Sequence, residues 1–302
     1  RQAIFDKKDL NEIINEGLKA LKFEPKSKQI LEVLLFSFAK LKDFSNSLVY
    51  LNKLKKMNYI DDNIYKNISA DLNYLKALEY LEDEKRGLAT NYLKEAFKQK
   101  PSHIEASIKL SGLLKGIGSK NKSIDQLEKT FLLTANPNVL EELSKKWNLK
   151  TSGSRVSRAI NLLNRKFSQA IKYDLKIEVA CFAISEEIWG EAERLLKDIP
   201  DDKLTNKAYQ ALADIAGSQN NPDVVKGNLE KAASAIEGYN YFCYSCGNKN
   251  YNWELHCPKC DQLSTIDWMK ITSNENVEVL KIPSLKISLD NNFNRSSNKI
   301  PY

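Results

Sequence analysis

LEVLLFSFAKL, residues 31–41, and FSNSLVYLNKLKKM, residues 44–57, are separated only by Lys42 and Asp43. In the first stretch apolar residues recur three and four apart, the period of an amphipathic helix. The second repeats that spacing. Two helices joined by so short a turn fold back on each other, which makes the pair an antiparallel hairpin. The unit recurs at 64–81 with 88–98, at 104–117 with 122–133, at 175–187 with 190–197, and at 204–218 with 223–236. Pro25, Pro101, Pro137 and Pro200 each follow a second helix, where proline stops the i to i−4 bonding. Residues 150–172 are less regular. TSGSR (151–155) reads as a break before helical spacing resumes in VSRAINLLNRKFSQAI (156–171). That stretch is a loop with a helix, or a pause between two subarrays.

These units resemble tetratricopeptide repeats, which run to about 34 residues each. The clearest pieces are WGEAERLLKDIP (189–200) and NPDVVKGNLEKAASA (221–235). Ala192 and Val225 sit where the second helix must approach its neighbour, and Leu196 and Leu229 follow four positions later to fill the core. The alternative is an irregular helical bundle. The resemblance implies an α-solenoid over residues 1–238, stabilised by stacking of neighbours and binding partners on its concave surface.

Composition agrees with helices. The 302 residues include 11 Gly and 8 Pro, too little punctuation for an all-β protein, and 42% are hydrophobic, enough for a core. The net charge of +7 suggests nucleic acid or an anionic membrane as one reading. The other is a solvated, Lys-rich surface, as in Lys53, Lys55 and Lys56. No Arg-rich cluster or interleaved aromatic stripe supports nucleic-acid recognition, so nucleic acid is not an expected partner. No run of eighteen apolar residues spans a bilayer, and no signal peptide is visible. The chain begins at Arg1 and is read as a fragment or processed product.

Cys243, Cys246, Cys257 and Cys260 form two Cys-x-x-Cys knuckles separated by ten residues. Four thiolates close a tetrahedral zinc shell and leave no position for water or substrate, so the expected role is structural. Two disulfides or four free thiols are the alternatives, and a rubredoxin-like iron centre passing electrons is a further reading. Gly247 after the first knuckle suits a left-handed turn, and Asp261 takes the same place after the second. Trp253 and Trp268 are expected to cap this lobe and pack it against the last helix pair. His256, beside Cys257, is the alternative ligand. His103 is expected at the surface or as a helix cap, and Cys181, in EVACFAI, as a core residue and not a nucleophile.

The segment YNYFCYSCGNKNYNWELHCPKCDQLSTIDW (239–268) carries a closer resemblance. Helical repeats ending in such a lobe resemble two bacterial inner-membrane families: lipopolysaccharide assembly protein B, and the HemY-type tetratricopeptide proteins associated with haem biosynthesis. Trp253 lies four residues before Cys257, and the lobe closes on Thr265-Ile266-Asp267-Trp268, as in the HemY type. The assembly-protein lobe places its Trp where this chain has Leu255. The HemY-type resemblance implies an all-α, tetratricopeptide-like solenoid with a small rubredoxin-like or zinc-ribbon lobe at 239–270. It implies an N-terminal membrane anchor absent from this chain, a location at the bacterial inner membrane with the soluble part facing the cytoplasm, and haem-pathway enzymes or membrane-complex components as partners. It does not establish a haem site. The sequence has no Cys-x-x-Cys-His motif, no Gly-rich phosphate loop and no nucleophile with its base, so a non-enzymatic scaffold is expected. The alternative is an adaptor presenting a lipopolysaccharide-synthesis enzyme to a membrane protease.

Beyond Met269 the pattern fades. Residues 277–282 read as a strand or a segment lying along the lobe, and LDNNFNRSSNKIPY (289–302) as disordered, or as a peptide docking through Ile300–Tyr302.

Overall fold

A computed structural model describes residues 7–116 and 118–270. The expectations for residues 271–302 lie outside the described residues. The helices are α1 (Lys7–Phe23), α2 (Lys28–Lys40), α3 (Phe44–Lys56), α4 (Asp62–Glu82), α5 (Arg86–Gln99), α6 (Ile104–Gly116), α7 (Lys120–Thr134), α8 (Pro137–Trp147), α9 (Ser152–Leu162), α10 (Lys172–Ser185), α11 (Trp189–Lys197), α12 (Asn206–Ser218) and α13 (Pro222–Ser234). Three short strands follow: β1 (Asn240–Cys243), β2 (Lys249–Asn250) and β3 (Ile266–Met269).

After α1 the helices pack as hairpins: α2 with α3, α4 with α5, α6 with α7, α8 with α9, α10 with α11 and α12 with α13. One turn geometry recurs. Lys42, Glu84, Gly118, Glu187 and Asn220 all have positive φ, and each residue after them donates its N–H to a carbonyl five residues back. Those bonds, Asp43 to Phe38, Lys85 to Tyr80, Ser119 to Leu114, Ile188 to Ala183 and Asn221 to Ala216, measure 2.8–3.0 Å. This is the left-handed helix terminator that satisfies orphan carbonyls. Glu84 and Gly118 lie 34 positions apart, and Glu187 and Asn220 33. The repeat is therefore written in the backbone, and the chain is a tetratricopeptide-like α-solenoid.

The hairpin α8–α9 corrects the sequence reading of residues 150–172. Thr151 is the N-cap of α9, its hydroxyl accepting from the Ser154 N–H at 3.3 Å. Thus TSGSR starts a helix instead of breaking one. Asn136 caps α8 in the same way, with Pro137 in its first turn. The true interruption is shorter, between α9 and the 3-10 turn at Gln169–Ile171.

The cores follow the hairpins. Leu31, Leu34, Leu35, Leu51, Leu54 and Leu72 fill the N-terminal core; Leu127, Phe131, Leu143, Leu175 and Leu196 fill the C-terminal one. Burial of each such side chain contributes roughly 1.5–3 kcal/mol. Gly17 lets α1 approach α2 closely, since a Cβ there would stand 2.9 Å from Leu34 Cδ2. Ala192 and Leu196 are buried as expected. Val225 is half-buried and Leu229 is 50% exposed, against expectation, because among the described residues no further hairpin follows α13 to cover it.

The inner-membrane location is corrected: among the described residues no helix is long and apolar enough to cross a membrane. The longest, α4 with 21 residues, carries Asp62, Lys66, Asp71, Lys76, Glu79 and Glu82 along its length.

Candidate metal centre

The strands form one antiparallel sheet in the order β2-β1-β3, which sets Cys243 opposite Ile266. The two knuckles have matching backbone geometry. Gly247 N–H donates to Cys243 O at 2.7 Å, and Asp261 N–H to Cys257 O at 2.8 Å. Gly247 and Asp261 both adopt positive φ, 70° and 59°, so the aspartate occupies the turn position expected of it. These turns aim amides at sulfur: those of Ser245 and Cys246 at Cys243, and those of Lys259 and Cys260 at Cys257.

The four cysteine sulfurs lie within 4.8 Å of one another, with Cys243–Cys260 and Cys246–Cys257 both at 3.7 Å. A tetrahedron with metal–sulfur bonds of about 2.3 Å has edges of about 3.8 Å. The donors therefore already stand at coordination spacing, and no disulfide joins them. Burial pushes the Cys257 thiol up to about 11 and Cys260 higher still. Burial acts the same way on Cys243, but the Thr265 hydroxyl, 3.2 Å from its sulfur, and the knuckle amides outweigh it and hold that thiol below its ordinary value. A dication is the group that would keep all four deprotonated together. His256 stays outside the cluster. Its ring meets Phe36 of α2 edge-on at 5.1 Å, and burial, then Lys40, holds its pKa down at about 4.

The lobe does not sit on the last helix pair as expected. It lies across the face made by the first helices of the hairpins, from α2 to α10. Trp253 packs edge-on to Tyr74 of α4 at 5.4 Å and against His103 at 5.0 Å. Trp268 stacks with Tyr239, meets Tyr241 edge-on at 5.1 Å and donates its indole N–H to Thr134 O at 2.9 Å. Leu255 and Leu263 join the N-terminal core.

A polar cluster accompanies this packing. Lys100 Nζ is 2.9 Å from Asp267, Ser264 donates to Asp71, Tyr241 donates to Glu105, and Lys40 pairs with Asp261. His103, at 3% exposure, is buried in the same cluster between Asp71 (3.4 Å) and Glu105 (3.2 Å), not on the surface. The Ala106 N–H also approaches its Nδ1, at 3.4 Å, but that cap needs Nδ1 unprotonated whereas a bond from Nδ1 to Glu105 needs it protonated, so only one of the two forms in a given tautomer. Periodicity carried no sign of this cluster, whose lobe and array members lie more than a hundred residues apart in sequence.

Beyond the lobe's edge, a groove of about 760 Å³ opens between α8, α9, α10 and α12. Leu140, Leu149, Cys181 and Phe182 give it an apolar lining. Two ion pairs border it: Lys207 with Glu178, at 2.6 and 2.7 Å, and Arg155 with Glu186, whose Nε–Oε1 contact is 2.7 Å. Cys181 is thus a groove-wall residue, only partly buried in the core. Burial, then the Glu178 carboxylate, pushes its thiol up to about 12, which agrees with its not being a nucleophile.

No family model matches the sequence, and no curated protein sequence matches it. Among solved structures, a tetratricopeptide repeat protein from Parabacteroides merdae is 15% identical, with 76% of this chain and 88% of that one covered and a TM-score of 0.34. Pseudomonas aeruginosa PilF is 13% identical, covering 72% and 88%, with a TM-score of 0.30. YrrB, described as "a TPR protein with an unusual peptide-binding site", is 10% identical, covering 68% and 97%, with a TM-score of 0.32. Likeness at this level adds no argument to the repeat geometry described above, and it does not extend to the HemY-type or lipopolysaccharide-assembly resemblance.

Proposed function

We propose that the chain is a non-enzymatic scaffold, braced by a metal-stapled lobe, that holds an extended segment of a partner protein in the groove between α8, α10 and α12. The observation that carries this reading is the division of the first-helix face. Its N-terminal part is covered by the lobe, so the concave surface expected from sequence to bind partners is narrowed to the groove. That groove offers an apolar floor bordered by charged pairs, the mixture a peptide backbone with alternating side chains can use.

Zinc is the proposed metal, held by Cys243, Cys246, Cys257 and Cys260. A closed four-thiolate shell supplies folding energy and leaves no coordination site for substrate. The lobe's role is then to tie α2, α4, α6 and α10 together through Phe36, Tyr74, Glu105 and Asp174. A link to haem biosynthesis rests on the lobe's sequence resemblance alone, and the capture experiment examines it directly.

The test is co-purification with full-length variants. Phe182→Glu, in the groove, is expected to lose the partners that wild type recovers, while Leu229→Lys on the exposed face of α13 keeps them. Equal recovery by Phe182→Glu and wild type refutes the groove as the partner site. Haem-pathway enzymes in the wild-type fraction support that pathway; a lipopolysaccharide-synthesis enzyme recovered with a protease removes it.

A further inference from the structure

The chain leaves the lobe at Lys270, whose Nζ pairs with Asp174 of α10 at 3.0 Å. Asp174, Glu178, Cys181 and Ser185 recur four, three and four apart, so they share one face of α10. The last three line the groove. The lobe therefore delivers the chain to the same face of α10 that forms the groove wall. Asp174 to Ser185 spans about 16 Å of helix, and the seven residues from 271 to 277 reach about 23 Å when extended.

What comes next in sequence is VEVLKIPSLKISL, residues 277–289. Seven of these thirteen residues are Val, Leu or Ile, and Leu285-Lys286-Ile287-Ser288-Leu289 alternates apolar with polar. That pattern suits an extended segment with one face buried. Lys281 and Lys286 fall between its apolar positions, while the groove's Glu178 and Glu186 are already paired with Lys207 and Arg155, so the apolar side chains and not the charges make the match. Residues 291–302 have no comparable apolar run.

We propose that residues 277–289 lie extended in the groove between α8, α10 and α12 as an intramolecular ligand that a partner segment has to displace. The proposal deepens the scaffold reading by naming an occupant for the same groove. A tethered segment acts at an effective concentration in the millimolar range. Even a segment with an intrinsic Kd of about 0.1 mM then fills the groove about nine-tenths of the time and weakens a competing partner about tenfold.

Hydrogen exchange on the zinc-loaded full chain tests this without any partner, so its failure leaves the scaffold reading standing. Residues 277–289 are expected to exchange about tenfold more slowly than 291–302, and Phe182→Glu is expected to abolish the difference. Equal rates in wild type, or protection that survives Phe182→Glu, overturn the proposal. A second variant, Leu285→Asp with Ile287→Asp, leaves the array untouched. A labelled synthetic peptide of residues 276–290 is expected to bind this variant about tenfold more tightly than wild type. Equal binding to both, or binding to neither, also overturns it.

Discussion

Lys100→Ala is the substitution that most directly probes how the lobe is held. The lysine is 12% exposed and faces Asp267 of β3 at 2.9 Å, with the Asp71 and Glu105 carboxylates also acting on it. Truncating one partner of a buried pair costs about 3–5 kcal/mol because the other charge is left uncompensated. Asp267 is partly open to solvent, which recovers some of that loss, so about 2–3 kcal/mol is expected here. The assay is native-state amide exchange of β3, read as the free energy of local opening. The expected change is about 30- to 160-fold faster exchange. Asp267→Asn has a smaller effect, because Lys100 keeps Asp71 and Glu105 nearby. Lys40→Ala, at the more exposed pair with Asp261, changes opening by about 0–1 kcal/mol. If Lys100→Ala leaves β3 exchange within threefold of wild type, or Lys40→Ala matches it, the buried-pair reasoning is wrong.

Other expectations follow from the same contacts. Cys257→Ser lowers bound metal and frees the lobe while circular dichroism keeps most of its helical signal, because the array cores are built largely by the hairpins; collapse of that signal contradicts this. Burial raises the Glu105 carboxyl, but bonds from His103 and Tyr241 outweigh it and hold the pKa below 4.5. A depressed folded value stabilises above the unfolded value and is lost as pH falls through the folded one. Lobe opening therefore steepens below about pH 4.5 in wild type and less so in Glu105→Gln at equal zinc; identical profiles refute the coupling. Leu196→Ala destabilises the array by about 2–4 kcal/mol in denaturant melts, whereas Leu229→Lys stays within about 0.5 kcal/mol, since only the first is buried. Comparable losses in both would mean that α13 is covered in solution.

Helical hairpins and the cysteine set were legible in the sequence because each has a short-range signature: spacings of three and four, and paired Cys-x-x-Cys. The turns were not. Lys42, Glu84 and Glu187 hold left-handed positions usually given to glycine, so no composition cue marks them. The α8–α9 hairpin escaped because Asn136-Pro137 and Thr151, which cap helices, read equally well as breakers. Docking of the lobe was misplaced for a different reason. Contacts such as Trp253 with Tyr74 and Lys100 with Asp267 join segments more than 160 residues apart, and local periodicity cannot carry them. The buried state of His103 is a consequence of that docking and was hidden with it.

The most direct test of a metal-stapled lobe bracing the first-helix face is hydrogen exchange on the zinc-loaded full chain, before and after chelation. Loss of protection across residues 239–269 and on α4 and α6 is expected, while α11 and α13, which take no part in the lobe's hydrogen bonds and ion pairs described above, keep theirs. Unchanged exchange in the lobe after metal removal, or an even loss across the thirteen helices of the described residues, contradicts it.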